Sequence, residues 1–267
     1  MNAVFLLLGA LVALSLLMTL GWWIQKRTGN AGWVDVTWTY SVGAVGAVVA
    51  LWPLAGSVFA RQALVAIALV LWSLRLGTHI VRRAAKGGDD PRYAKLKEEW
   101  GDKAQSRMFW FLLLQAIAAF LLVGPVLAAA ASPRPGLDWR DWVGFAIVLA
   151  SILGEALADR QLKAFGQDPA NKGGVCDTGL WRYSRHPNYF FEWLGWVGYL
   201  VIAADFAGTH LWGWAALIAP AYMYYLLRHV SGVPPLEEHM MRTRPEAFRA
   251  YAERTNVFFP GPRRTTS

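Results

Sequence analysis

Seven apolar stretches alternate with polar segments along this chain, over roughly 4–24, 33–53, 62–81, 109–130, 141–159, 187–205 and 210–229. A helix that crosses the hydrocarbon core of a bilayer needs roughly 20 mostly apolar residues. Strand-like alternation is scarce, so each stretch predicts a spanning helix rather than a barrel strand. The first, Val4 to Ile24, has no Lys or Arg before it and carries Lys26 and Arg27 after it. It is also longer than a signal-peptide core, which predicts a retained span. The expected fold is all-α: a polytopic seven-helix transmembrane bundle, one domain over 1–267, ending in an amphipathic tail at 230–267.

Composition agrees. Of 267 residues, 55% are hydrophobic and 16% charged, against about 25% charged in soluble domains. The single cysteine, Cys176, excludes an internal disulfide and any multi-cysteine metal cluster, and no metal site is expected. Charge then orients the chain. Of the 26 Lys and Arg, 21 follow the first, third, fifth and seventh stretches, and only Arg61, Arg134 and Arg140 fall in the other links. The positive-inside rule places the N-terminus outside and the C-terminal tail in the cytoplasm. A net charge of +8 therefore suits anionic lipid, and with no nucleic-acid motif no nucleic-acid partner is expected.

The densest polar run is Leu180-Trp-Arg-Tyr-Ser-Arg-His-Pro-Asn-Tyr-Phe-Phe-Glu192. Pro187 suits a first helical turn, and Asn188 and Glu192, four residues apart, share a helix face. An ionisable group such as Glu192 inside a membrane helix marks a functional site by default. The plainer alternative is a juxtamembrane patch, with Arg182, Arg185 and His186 on lipid phosphate and Tyr183 and Tyr189 in the aromatic belt, but it leaves Asn188 and Glu192 unexplained. Glu155 and Asp159 close the fifth span with Lys163 beside them. Acids at a helix C-terminus oppose its dipole, which favours function over a simple helix end. Asp35 starts the second span; it either serves a site on the cytoplasmic side or merely suits the helix N-terminus. In the tail, Glu238, His239 and Arg242 could close over a bound cofactor. There is no GxGxxG after a strand, Walker loop, HExxH or GxSxG, so helix ends and loops must hold any cofactor.

The run GLWRYSRHPNYFFEWLGWVGY, with GVPPLEEHM and AYAERTNVFFP after it, resembles the C-terminal domain of steroid 5α-reductases, especially their bacterial DUF1295-like relatives. Asp35 with Trp38, the GGDDPRY loop and Gln115 resemble the same group, so the likeness covers nearly the whole chain. It implies a seven-helix reductase of the cell membrane, the inner membrane in a bacterium, with its active site facing the cytoplasm. The implied chemistry is NADPH-dependent reduction of an enone C=C bond, usually in a 4-ene-3-ketosteroid. The resemblance makes Asn188 and Glu192 the family's Asn and Glu on this helix. It makes Asp159 and the Arg182, Tyr183, Ser184, Arg185 cluster cofactor contacts, joined by Glu155, Lys163, His186, Tyr189 and the three tail residues. Animal members set a glutamate on span two and a tyrosine on span three near the ketone. Asp35, or Tyr40, replaces that glutamate here, while Trp72 takes the tyrosine's region.

Two other classes stay open. Isoprenylcysteine carboxyl methyltransferases share an RHPxY-type motif and a Glu-Glu…Tyr…Pro tail. In that reading the cofactor is S-adenosylmethionine, and Glu237 and Glu238 matter most. A sterol- or lipid-binding membrane protein without turnover is the third. The sequence sets no oligomeric state and is compatible with a monomer.

Overall fold

The structure, a computed structural model, describes residues 3–264 and every side chain among them but that of Pro91. The described chain is helical throughout and holds no strand. Five helices are long and apolar enough to cross a membrane: α1 (Ala3–Thr28), α2 (Gly32–Leu51), α3 (Phe59–Ala84), α5 (Ala104–Ala130) and α6 (Trp139–Gln167). A short α4 (Pro91–Trp100) precedes α5, and α7 spans Pro187–Ala203.

The sixth and seventh expected stretches differ from the other five. α7 has 17 residues. The seventh breaks into a 3-10 segment (Leu211–Leu217), α8 (Ile218–Tyr225) and a π-wound turn (Leu226–Val230). Pro220 cannot donate a backbone hydrogen bond at the start of α8. Gly213 sits so close to the Ala203 carbonyl that a Cβ there would collide with it. Both constraints favour tighter winding before α8. The tail then forms α9 (Val233–Thr243) and α10 (Pro245–Arg254), each with proline in its first turn.

The chain divides into two compact units, Met1–Phe145 with Tyr199–Ala219 and Ala146–Gly198 with Pro220–Ser267. In the first, α2 packs against α1, α3 and α5. Small residues bring α2 and α3 together: Gly43 lies on Ser73 and Gly46 on Leu69, with no room for a Cβ at either. Ser73 Oγ donates to the Thr39 carbonyl at 3.0 Å across this contact. Indole N–H groups tie the other pairs, from Trp22 to the Gln105 carbonyl at 3.0 Å and from Trp38 to the Gln115 carbonyl at 3.1 Å.

One end of this unit holds a buried charge network. Arg61 and Asp141 are both fully buried, paired Nε to Oδ1 at 2.7 Å and Nη2 to Oδ2 at 3.0 Å. Arg61 also donates to the carbonyls of Ser132 (2.8 Å), Arg134 (3.0 Å) and Gly136, so each of its five N–H donors has a partner. Arg134 adds contacts to Asp138, Asp141 and the Ile202 carbonyl. These arginines, read in the sequence as loop cations, join α3, the link before α6 and the first turn of α6.

The second unit packs the latter part of α6 on the first part of α7. The Phe191 ring covers Gly154, and a Cβ on Gly195 would come 2.8 Å from Ser151 Oγ. Its tail is held by burial of Val233, Phe248, Tyr251 and Phe258.

Removing one partner of a buried ion pair strands the other charge, at a cost of about 3–5 kcal/mol. Asp141→Ala is therefore expected to lower the thermal midpoint of the detergent-solubilised protein far more than Asp138→Ala, whose carboxylate is 30% exposed. Equal shifts in the two variants would contradict the Arg61–Asp141 pair as the anchor.

Candidate active site

Asp35 lies in the first turn of α2, and the loop after α3 closes over it. Gly87 and Gly88 adopt φ of 82° and 87°, a left-handed turn that glycine allows without strain. Beyond it, Asp89 accepts the Ala31 N–H at 2.7 Å and pairs with Lys97 at 2.7 Å. Asp90 caps α4 by accepting the Arg92 N–H. Capping aims the Arg92 and Tyr93 side chains at Asp35. Arg92 Nη2 reaches Asp35 Oδ2 at 2.5 Å, and Arg83 lies 3.5 Å from the same oxygen. Tyr93 is buried, donates its phenol to Asp35 Oδ1 at 2.7 Å and accepts from Gln115 Nε2 at 3.2 Å. Asp35 is thus held by two cations and a hydroxyl. Tyr40, the other candidate acid of α2, stands apart. Its ring lies on Gly77, in an apolar group with Val36 and Ile80.

The second unit carries a different cluster. Asn188 Nδ2 donates to Asp159 Oδ1 at 3.5 Å, joining the start of α7 to α6. The stripes that make this contact also carry Glu155 and Glu192, which are 6% and 7% exposed. Trp196 Nε1, one turn beyond Glu192, donates to its Oε1 at 3.2 Å.

The segment between α6 and α7 is clasped to the tail. Arg185 donates to Glu237 through Nε (2.7 Å) and Nη2 (3.1 Å), and through Nη1 to the carbonyls of Ala252 and Thr255 at 2.9 and 3.0 Å. Its backbone N–H donates to the Asn256 carbonyl at 2.8 Å. Ser184 Oγ donates to the Phe258 carbonyl at 2.8 Å, and Tyr251 donates its phenol to the Trp181 carbonyl at 2.6 Å. His186 Nε2 lies 3.0 Å from Glu237 Oε1, and its ring stacks on Tyr189 with centroids 5.5 Å apart. Among the expected cofactor contacts, Ser184, Arg185 and His186 are therefore engaged in this clasp. Lys163, Arg182, Tyr183, Glu238, His239 and Arg242 are exposed.

A family model described as "Protein of unknown function (DUF1295)" matches residues 21–255. The chain belongs to the DUF1295 family. That family comprises steroid 5α-reductase-like proteins. An uncharacterized protein of Schizosaccharomyces pombe is 26% identical over 87% of this chain and 76% of its own length. The probable O-methyltransferase ustE of Ustilaginoidea virens is 26% identical over 49% of this chain and 57% of its own length. No solved structure matches the chain.

In this DUF1295 protein, sequence reasoning missed two roles. Tyr93 was legible only as part of GGDDPRY; reading Asp90-Pro91 as cap and first turn would have placed Tyr93 inside a helix whose start faces Asp35. Glu237 was weighed only beside Glu238 for the methyltransferase class, yet it is Glu237 that the clasp uses.

Electrostatics of the clasp set a pH dependence. Burial alone would raise the Glu237 carboxyl, but hydrogen bonds from His186 and Arg185 outweigh it and bring it from 4.5 to about 2. Burial lowers His186 below its ordinary 6.5 despite Glu237, so the neutral ring donates Nε2–H to the carboxylate. A depressed acid stabilises above its unfolded value and a depressed base destabilises below its own, so both shifts act with the same sign. Clasp stability should begin to fall below about pH 6.5 as His186 would charge, and fall further from pH 4.5 toward 2 as Glu237 protonates. Amide protection factors across 245–256 should fall over that range, and in Glu237→Gln they should already be low at pH 7. Protection that is flat from pH 7 to pH 3 in the wild type would contradict the clasp.

Proposed function

We propose that this DUF1295 protein is a membrane enzyme that reduces the C=C bond of an enone lipid with NADPH. The Δ4 bond of a 4-ene-3-ketosteroid is the substrate that the family resemblance favours. The observation that carries the reading is the stripe of Glu155, Asp159, Asn188 and Glu192 on apolar α6 and α7. Ionisable groups held at that depth mark a binding or reaction site far more often than they serve packing. The family match over residues 21–255 supports a reductase-like assignment of that stripe.

In this reading α7 and residues 211–230 are the sixth and seventh crossings of a cell membrane. The N-terminus lies outside and the tail, with the active site, on the cytoplasmic side. At 1.5 Å per residue α7 spans about 26 Å, close to the hydrocarbon thickness, and 3-10 winding lengthens residues 211–217.

The chemistry asks this chain to bind, orient and supply a proton. NADPH, when bound, supplies hydride to the carbon β to the ketone. Its amide and phosphate groups suit Asn188 with Asp159 and the exposed cations Arg182 and Lys163, while Arg185 serves the clasp. Charge then develops on the ketone oxygen as an enolate, which a preorganised donor stabilises. Within the first unit, the Tyr93 phenol donates to Asp35 and accepts from Gln115. Asp35, the acid that the resemblance implies, is ion-paired with Arg92.

A specific observation favours a second reading. Glu237, prominent in the methyltransferase class, is the most strongly held acid of the tail, and the ustE relative is named a probable O-methyltransferase. In that reading this chain would be an S-adenosylmethionine-dependent methyltransferase of the isoprenylcysteine carboxyl methyltransferase type.

Purified protein is expected to consume NADPH, followed at the nicotinamide absorbance band, when given progesterone or testosterone. No consumption, with methyl transfer from S-adenosylmethionine to a prenylated cysteine instead, would overturn the reductase. Asn188→Ala should weaken NADPH binding about tenfold, the worth of one hydrogen bond to a buried or charged group. Unchanged NADPH affinity in that variant would remove Asn188 from the binding site.

A further inference from the structure

Two hollows in the second unit share one ridge, Phe259–Pro260. The larger, of about 490 Å³, is walled by Leu180, Tyr183, Phe190 and Phe191, and its surface is almost wholly apolar. The smaller, of about 370 Å³, is lined on the far side of the ridge by Tyr224, Arg228 and Asn256. The ridge itself is fixed by aromatic packing: Phe259 stacks on Tyr224 at 5.7 Å and meets Trp193 edge-on at 5.3 Å.

Arg228 lies in the π-wound turn that ends the seventh stretch. It is half-buried, and no ion pair engages it among the described residues. Neither hollow has an Asp or Glu in its lining. One polar wall with a guanidinium and an amide thus adjoins a hydrocarbon-sized aromatic trough. In the seven-span reading both lie where the cytoplasmic ends of spans six and seven meet the headgroup level.

We propose that these hollows hold one anionic phospholipid of the surrounding bilayer, with its phosphate on Arg228 and the Asn256 amide and an acyl chain in the Phe190–Phe191 trough. Charge complementarity selects the headgroup. A zwitterionic lipid would bring a cation beside Arg228 with no carboxylate in the lining to receive it. An anionic headgroup leaves no such cation. The site requires neither turnover nor a particular cofactor, so it stands apart from the reductase reading.

The test uses the full chain in detergent, titrated with dioleoylphosphatidylglycerol, dioleoylphosphatidylcholine or inorganic phosphate and read by native mass spectrometry. The phosphatidylglycerol should bind about fivefold tighter than the phosphatidylcholine, the worth of one cation near an anionic headgroup. Arg228→Gln should abolish that preference, and Arg249→Gln, at an exposed position of α10, should leave it intact. Equal affinity of the two lipids in the wild type would overturn the proposal. So would a preference that survives Arg228→Gln, an equal loss in Arg249→Gln, or inorganic phosphate binding as tightly as the lipid.

Discussion

A charge that cannot reach water must find its counter-charge and its hydrogen bonds within the chain. In this protein that constraint holds in full for Arg61 and Asp141, and two more exposed clusters fasten further segments. Arg61 with Asp141 joins α3 to the start of α6, with no donor of the guanidinium left over. Asp35 with Arg92 and Tyr93 closes the α3–α5 loop on the start of α2. Arg185 with Glu237 and His186 fastens the tail to the segment before α7. In each case the partners are distant in sequence and the pairing is by a planar, multi-donor arginine, whose fork fits a carboxylate better than an ammonium does. Removing Arg61 or Asp141 would cost more than that pair contributes, because the partner stays buried.

The same constraint reshapes the functional reading. Asp35, the acid that the resemblance implies, sits inside a network of Arg83, Arg92 and the Tyr93 phenol. Arg185 donates to a carboxylate and two carbonyls, so in the proposed reading the exposed Arg182 and Lys163 are the cations suited to phosphate. The buried acids of α6 and α7 remain the strongest pointer to chemistry.

Much of the fold was legible because hydrophobic length is a local signal. Five stretches of roughly 20 apolar residues reappear as long helices, with ends shifted by a few residues. The seventh stretch is less apolar, and its winding also depends on Pro220 and on Gly213 against Ala203, a contact that periodicity does not report. Arg61 and Asp141 are 80 residues apart and Arg185 and Glu237 are 52 apart, so neither pair follows from spacing. The run from Arg182 to Glu192 did stand out as a site, because polar residues crowd against an apolar span. Which of them point inward and which fasten the tail is set by tertiary packing. Tyr93 was hidden for the same reason: its role exists only once the capped start of α4 meets α2.

The central claim is that the α6–α7 stripe serves a nicotinamide dinucleotide. Its most direct test is the melting temperature of the detergent-solubilised protein with NADPH or with S-adenosylmethionine, in the wild type and in Asn188→Ala. A ligand at 100 times its dissociation constant stabilises by about 2.7 kcal/mol. The account predicts a clear rise with NADPH that Asn188→Ala diminishes, and no rise with S-adenosylmethionine. A rise with S-adenosylmethionine alone would contradict it.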